Sequence, residues 1–169
     1  MTTGDAPRSA RAEPLYGERT GQTWALLQEQ TDVQLDPFGR AVLATLAPAR
    51  AARVLDVGCG CGQTVLELAE IVGPRGHVVG VDISAPMLAR ARERCPALPG
   101  VDLCRADAQT HPFAPGLFDA VFSRFGVMFF ADARLAFANL HRALRPDGRL
   151  ASSTSRSSVA TDRCMWAAR

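Results

Sequence analysis

Hydrophobic positions along this chain fall into short continuous runs separated by stretches of helical spacing, and the alternation begins near Trp24. Residues 54–57, 78–81, 101–105 and 118–123 are short runs rich in β-branched and other apolar residues, the pattern of strands covered on both faces. Between the first two, Thr64, Val65, Leu66, Leu68, Ala69, Ile71 and Val72 recur at helical spacing until Gly73-Pro74 stops them. Met87, Leu88 and Ala91 line a further helix, with Ser84 at its N-cap position and a stop before Pro96. Leu135, Phe137, Ala138, Leu140 and Leu144 line another, ending at Pro146-Asp147-Gly148, a turn into a fifth strand. Ahead of the first strand, Trp24, Leu26, Leu27 and then Phe38, Val42, Leu43 and Leu46 suggest two amphipathic helices separated by Asp36-Pro37 and ending before Pro48. Strands separated by helices predict an α/β fold: a doubly wound, mainly parallel sheet with right-handed crossovers.

Both ends break this pattern. Residues 1–22 have no hydrophobic period and read as a flexible tail. Residues 23–151 hold all the predicted elements. After Leu150-Ala151 the chain turns to Ser-Ser-Thr-Ser-Arg-Ser-Ser, where a buried fifth strand should continue apolar, so residues 152–169 form an atypical polar tail.

Composition narrows the function classes. A length of 169 residues favours one domain that buries roughly two-thirds of its unfolded surface. The net charge of +2, with 47% hydrophobic and 21% charged residues, gives no reason to expect nucleic acid as a partner. All 19 basic residues are Arg; they are scattered, with no interleaved aromatic platform. No 18-residue apolar run and no secretory pattern are present, so no membrane span is expected and a cytoplasmic location follows. The five cysteines, at 59, 61, 95, 104 and 164, lack the spacing of a disulfide framework or zinc site. Cys59 and Cys61 flank a central glycine without a second ligand pair, so no metal is expected.

The chemistry concentrates where strands end. Residues 54–62 read Val-Leu-Asp-Val-Gly-Cys-Gly-Cys-Gly, a strand breaking into glycines that allow a tight turn and close backbone approach to a ligand. Asp56, Asp82 and Asp107 fall at or just past the ends of three successive strands, on one edge of the sheet. Asp82 stands 24 residues beyond Gly58, about the separation at which an acidic residue reaches a ribose diol. A nucleoside-bearing ligand follows. The dinucleotide fingerprint wants its third glycine where this chain has Gln63, which disfavours an NAD(P)-linked oxidoreductase. An acid beside the loop suits an ammonium group better than a pyrophosphate, and S-adenosylmethionine has an ammonium, a carboxylate, a ribose and an adenine.

Five segments in order carry a family resemblance: Val-Leu-Asp-Val-Gly-Cys-Gly-Cys-Gly; Val-Val-Gly-Val-Asp-Ile-Ser-Ala-Pro-Met-Leu; Ala-Asp-Ala-Gln; Phe-Asp-Ala-Val-Phe-Ser-Arg-Phe-Gly; and Leu-Arg-Pro-Asp-Gly-Arg-Leu. Over residues 24 to 151 the chain resembles class I S-adenosylmethionine-dependent methyltransferases, nearest to the small-molecule (type 11) enzymes of ubiquinone and menaquinone biosynthesis. The resemblance implies a Rossmann-like methyltransferase sheet, S-adenosyl-L-methionine as cofactor and a small-molecule methyl acceptor. It further implies that Asp56, Gly58 and Gly60 hold the methionine end, with the Cys59 backbone lining it and Gly62 permitting the turn. Asp82 would take the ribose hydroxyls, Ile83 and Met87 would pack on adenine, and Asp107 and the Ala108 amide would read its edge. Ser123, Arg124 and Phe125 would lie between cofactor and acceptor.

Two departures stand out. Cys61 replaces the more usual Thr, and the family's last two strands have no counterpart before residue 169, as in a truncated or frame-shifted product with an exposed fifth strand. A non-catalytic remnant is therefore a competing expectation. No catalytic residue is identified. Methyl transfer asks chiefly for alignment in a dry pocket, and His111 and His141 sit in a Pro-rich loop and on a helix away from the expected cleft.

Overall fold

The computed structural model describes residues 18–95 and 98–154. Helices α1 (Glu18–Leu26) and α2 (Gln28–Leu46) lead into β1 (Arg53–Val57), α3 (Gln63–Val72), β2 (His77–Asp82), α4 (Ala85–Arg94) and β3 (Val101–Arg105). There follow β4 (Phe118–Arg124), a 3-10 turn (Gly126–Phe129), α5 (Ala133–Ala143) and β5 (Leu144–Ser153). All strand pairs are parallel, in the order β3-β2-β1-β4-β5. The order reverses direction at β1: the chain winds outward to β3, then returns to add β4 and β5 on the other side. Such a reversal opens a crevice beyond the strand ends.

Strand alternation divides the core between two faces. Val54, Val78, Ala120 and Phe122 point to one side, where Val42 and Leu46 of α2, Val65 and Leu68 of α3 and Leu88 of α4 pack on them. Leu55, Val57, Val81 and Val121 point to the other, against Leu140 and Ala143 of α5. Each fully buried Val or Leu contributes roughly 1.5–3 kcal/mol, so the apolar runs that identify the strands also hold the layers together.

Several boundaries and one helix cap differ from the sequence expectation, each for a physical reason. Helical structure begins at Glu18 rather than near Trp24, because α1 packs on α4 and Gly21 lets it approach so closely that a Cβ there would clash with Ser84 Oγ. The break between the covering helices falls at Leu27, and Pro37 lies inside α2. Losing one N–H there leaves the Val33 carbonyl without a helical donor, but Val33 is exposed and its carbonyl can turn to water. Ser84 occupies the N-cap of α4 without a side-chain cap bond; its own N–H donates to Asp82 Oδ1 at 2.9 Å. The 145–148 segment does not precede β5 but interrupts it, with a register shift between Phe118 and Ala120 and a left-handed Asp147.

The fifth strand does not stop at Ala151. Ser152 and Ser153 continue the ladder opposite Ser123 and Arg124, the Ser153 carbonyl accepts from the Phe125 N–H at 3.1 Å, and Ser153 is buried. Backbone pairing with β4, plus Arg149 donating to the Thr45 carbonyl of α2 at 2.7 Å, compensates for the missing apolar side chains. Among the described residues β5 is an edge strand, and the rest of the polar tail, from residue 155, lies outside them. No helix among them is long and apolar enough to cross a membrane.

Pro37 gives a direct check on α2. It is exposed, so Pro37→Ala restores a backbone donor without disturbing packing, and the melting midpoint should rise by the equivalent of about 1–3 kcal/mol. An unchanged or lower midpoint would mean that Pro37 shapes the helix productively.

Candidate functional site

The crevice at the carboxyl edge of the sheet begins with a backbone contact. Gly58 follows β1 with φ of +73°, and a Cβ there would lie 2.7 Å from the Gly126 Cα. A Cβ on Gly126 would lie 2.4 Å from the Val57 carbonyl oxygen. Only two facing glycines let the turns after β1 and β4 come this near. The preceding residue, Phe125, takes a left-handed φ of 64°, uncommon for a bulky side chain and a strain that active sites concentrate. The Phe38 ring of α2 packs edge-on to it at 5.2 Å.

The glycine turn is held mostly by its own fold. The N–H groups of Gly58 and Cys59 donate to the Val81 carbonyl at 2.9 and 3.1 Å, and that of Gly62 to the Cys59 carbonyl at 2.9 Å. The Gly60 N–H donates to Asp82 Oδ2 at 2.9 Å. The turn therefore offers a ligand close, side-chain-free approach more than spare amide donors. Gly60 has φ of +54° and a Cβ there would meet Met87 Cε at 3.0 Å, so its bareness keeps the floor low.

Asp82 stands at the centre. Its two oxygens accept from Gly60 and Ser84, one each, and a carboxylate oxygen can accept more than one donor. Burial raises its pKa, and the N–H donors of Ser84, Gly60 and Ile83 oppose the rise. Asp107 caps its own turn, with Oδ1 accepting from the Gln109 N–H at 2.9 Å.

A cleft of about 820 Å³ opens over these groups, bounded by Gly58, Cys59, Gly60, Cys61, Asp82, Ile83, Met87, Asp107, Ala108, Arg124 and Phe125. Helix α2 and the end of α1 cover it with Trp24, Gln28, Thr31, Asp32 and Leu35, while Met128, Phe129 and Phe130 form an apolar wall from the turn after β4. The size suits a small-molecule ligand.

Three residues expected at the site lie behind its lining. Asp56 is fully buried; Thr64 donates to its Oδ2, and its Oδ1 has no hydrogen-bond partner. Gly62 is the N-cap of α3, where a Cβ would press on Ala91 and Cys95, so its role is helix packing. The Ser123 hydroxyl donates to the Val57 carbonyl at 2.7 Å and accepts from the Val127 N–H at 3.3 Å, pinning β1 to the turn after β4. His111 and His141 are not among the lining residues; His111 packs on Phe113 at 4.7 Å.

Charge around Asp56 is unusual. Burial pushes its pKa up to about 7, against the Thr64 hydrogen bond and the positive field of Arg124, with Asp82 and Glu67 adding to the rise. Arg124 donates to Gln63 Oε1 at 2.7 Å, so the residue that breaks the dinucleotide fingerprint serves here to hold a cation at the cleft. Burial also raises the thiol of Cys59, and that of Cys61 to about 11, which keeps both protonated at neutral pH.

These residues fit the parts of S-adenosylmethionine. A buried, half-unpaired carboxylate lies beneath the turn, a second carboxylate held by two backbone N–H groups stands beside it, apolar Ile83 and Met87 follow, and a further acid lies at Asp107. Sequence reasoning did not find Gln28, Asp32, Arg105, Gln109 and Gly126, all of which line the cleft. Gln109 and Gly126 alone had a local signal, as the last residues of two of the five quoted segments.

Residues 54–148 match the family model for a methyltransferase domain. Nocamycin O-methyltransferase from Saccharothrix syringae is 39% identical over 118 residues, covering 68% of this chain and 41% of that protein. Demethylmenaquinone methyltransferase from Staphylococcus aureus (strain JH9) is 33% identical over 109 residues, covering 64% and 45%. The crystal structure of an S-adenosylmethionine-dependent methyltransferase from Mesorhizobium loti superimposes with a TM-score of 0.62 at 32% identity, over 68% of this chain and 52% of that one. The chain thus spans less than half the length of these two curated relatives.

Two outcomes check the site's electrostatics and sterics. Because folding raises the Asp56 pKa to about 7, the folded chain keeps a proton that the unfolded chain sheds near pH 4, so stability falls as pH climbs from about 4 to about 7 and then levels. Asp56→Asn should flatten that slope in pH-dependent melting curves, removing a change on the order of 1–4 kcal/mol; a slope equal to wild type would place the titration elsewhere. Gly126→Ala, with backbone on both sides of the new Cβ, should lower stability by about 2 kcal/mol or more. A denaturant midpoint like that of wild type would mean the two turns can part freely.

Proposed function

This chain belongs to the methyltransferase domain family, and we propose that it binds S-adenosyl-L-methionine in the cleft beyond β1, β2 and β4 for methyl transfer to a small-molecule acceptor. The observation that carries the proposal is the arrangement at Asp82: one carboxylate fixed by the Gly60 and Ser84 amides, between a bare glycine turn and the apolar pair Ile83 and Met87. Bound there, S-adenosylmethionine supplies a sulfonium-linked methyl group open to nucleophilic attack.

The chain's own residues bind and orient. Gly58, Cys59 and Gly60 would pass under the amino-acid end, with Asp56 beneath them as a source of negative potential for an ammonium. The turn's amides are largely engaged internally, so the guanidinium of Arg124 would answer the carboxylate. Asp82 would accept from the ribose hydroxyls, Ile83 and Met87 would pack on the adenine, and Asp107 with the Ala108 amide would meet its polar edge. Gly62 and Ser123 would act indirectly, through the α3 start and the β1–β4 contact. We take residues 18–153, from α1 to β5 and so slightly wider than the 23–151 read from the sequence, as the functional domain, with α1 and α2 as its cover.

The acceptor would lie against Trp24, Leu35, Phe125, Met128, Phe129 and Phe130, an apolar and aromatic wall that excludes water and suits a flat, weakly polar molecule. The names of the nocamycin and demethylmenaquinone relatives support an acceptor of small-molecule size. Holding the acceptor in line with the methyl group in a dry pocket supplies much of such a rate, and accords with the absence of histidines from the cleft lining.

Titration calorimetry with S-adenosylmethionine, S-adenosylhomocysteine and NAD tests the proposal. The two sulfur nucleosides should bind and NAD should not, and Asp82→Ala should weaken their binding at least about tenfold through loss of charged hydrogen bonds. Binding of NAD alone would overturn it.

A further inference from the structure

Two arginines of α4, Arg90 and Arg94, make polar contacts with the covering helix. Arg90 donates through Nε and Nη2 to Gln28 Oε1 at 3.3 and 3.2 Å, and Gln28 in turn donates to Asp32. Arg94 reaches two structures at once. Its Nη2 pairs with Asp32 Oδ2 of α2 at 2.8 Å, the two side chains being only 20% and 16% exposed. Its Nη1 donates to the Cys61 carbonyl in the glycine turn at 2.9 Å.

We propose that Arg94 is a positioning residue that couples the covering helix α2 to the glycine turn, so that closure of the cleft and the geometry of its floor are set by one guanidinium. The turn is then gripped from two sides. Asp82 accepts the Gly60 N–H, and Arg94 supplies a donor to the next residue's carbonyl, which fixes the direction of the Cys59–Gly60 and Cys61–Gly62 peptides. A planar guanidinium spans two acceptors at fixed spacing; an ammonium on a flexible stem does not. Asp32 needs the same group, since a carboxylate this buried is costly without its partner. Displacing α2 therefore draws the guanidinium from the turn, and reshaping the turn loosens the cover. The proposal rests on this cleft being the S-adenosylmethionine site for its functional meaning, but the coupling itself is a property of the ligand-free chain.

Amide hydrogen exchange on the ligand-free full chain tests the coupling in wild type, Asp32→Asn and Arg94→Lys. Asp32 reaches the glycine turn through Arg94, so Asp32→Asn should speed exchange about tenfold at Gly60 and Gly62 as well as along α2, while β1 and β2 keep their protection. Arg94→Lys, which preserves the charge, should do the same. Faster exchange in α2 alone, with Gly60 and Gly62 unchanged in both variants, would reduce Arg94 to a fastener of the helix and overturn the proposal. Should Asp32→Asn also loosen β1 and β2, the Arg94→Lys pattern decides. Stopped-flow release of S-adenosylhomocysteine gives the functional readout: both variants should release it about tenfold faster, and release at the wild-type rate would overturn the coupling's role in holding ligand. A wild-type chain that binds no S-adenosylhomocysteine would remove the cofactor assignment and leave the exchange pattern to decide the coupling.

Discussion

The backbone contact between Gly58 and Gly126 is the constraint on which the rest of the site depends. It brings the chain leaving β1 against the chain leaving β4, with the Val57 carbonyl 2.4 Å from where a Gly126 Cβ would be. With these two turns pressed together, the crevice at the sheet's reversal point is closed below and open above. The Ser123 hydroxyl locks the same junction by bonding both the Val57 carbonyl and the Val127 N–H. Phe125 accepts a left-handed conformation between them, and its ring turns to meet Phe38 of the covering helix. One close approach thus links the two central strands, the apolar wall and the cover.

Polar order around that junction is arranged in depth. Asp56 lies deepest, neutralised in part by burial and held by Thr64. Asp82 lies nearer the cleft and is steadied by backbone donors, which oppose the effect of its own burial. Arg124, braced by Gln63, lowers the Asp56 pKa from the side. Acidic groups thus stand at different depths around the glycine turn, while the Phe129 and Phe130 side of the cleft is apolar.

Much of the scaffold was legible because buried parallel strands and their helices leave strong local signatures. The runs at β1, β2, β3 and β4 locate those strands to within a residue, and the helical spacing finds α3, α4 and α5. The covering helices were less legible. Pro37 reads as a boundary, yet α2 continues through it, since Val42, Leu43 and Leu46 are buried beyond the proline and tertiary packing outweighs one lost hydrogen bond. Ser152 and Ser153 read as tail, yet pairing with β4 draws them into β5, because a ladder is satisfied by backbone and not by side-chain polarity.

The sequence by itself determined the alternation of strands and helices, the glycine turn after β1 and the row of acids at successive strand ends, because each rests on spacing within a short segment. Which of those residues face the cleft was decided only in three dimensions. Asp56, Gly62 and Ser123 share their segments with lining residues but turn inward to hydrogen bonds and packing. Arg90 and Arg94 are far in sequence from Gln28 and Asp32 and meet them only when α2 folds across α4 and the glycine turn. Contacts of that kind depend on the distance between layers and the rotation of helices on the sheet, quantities fixed by the packing of the whole core and written in no single stretch of chain.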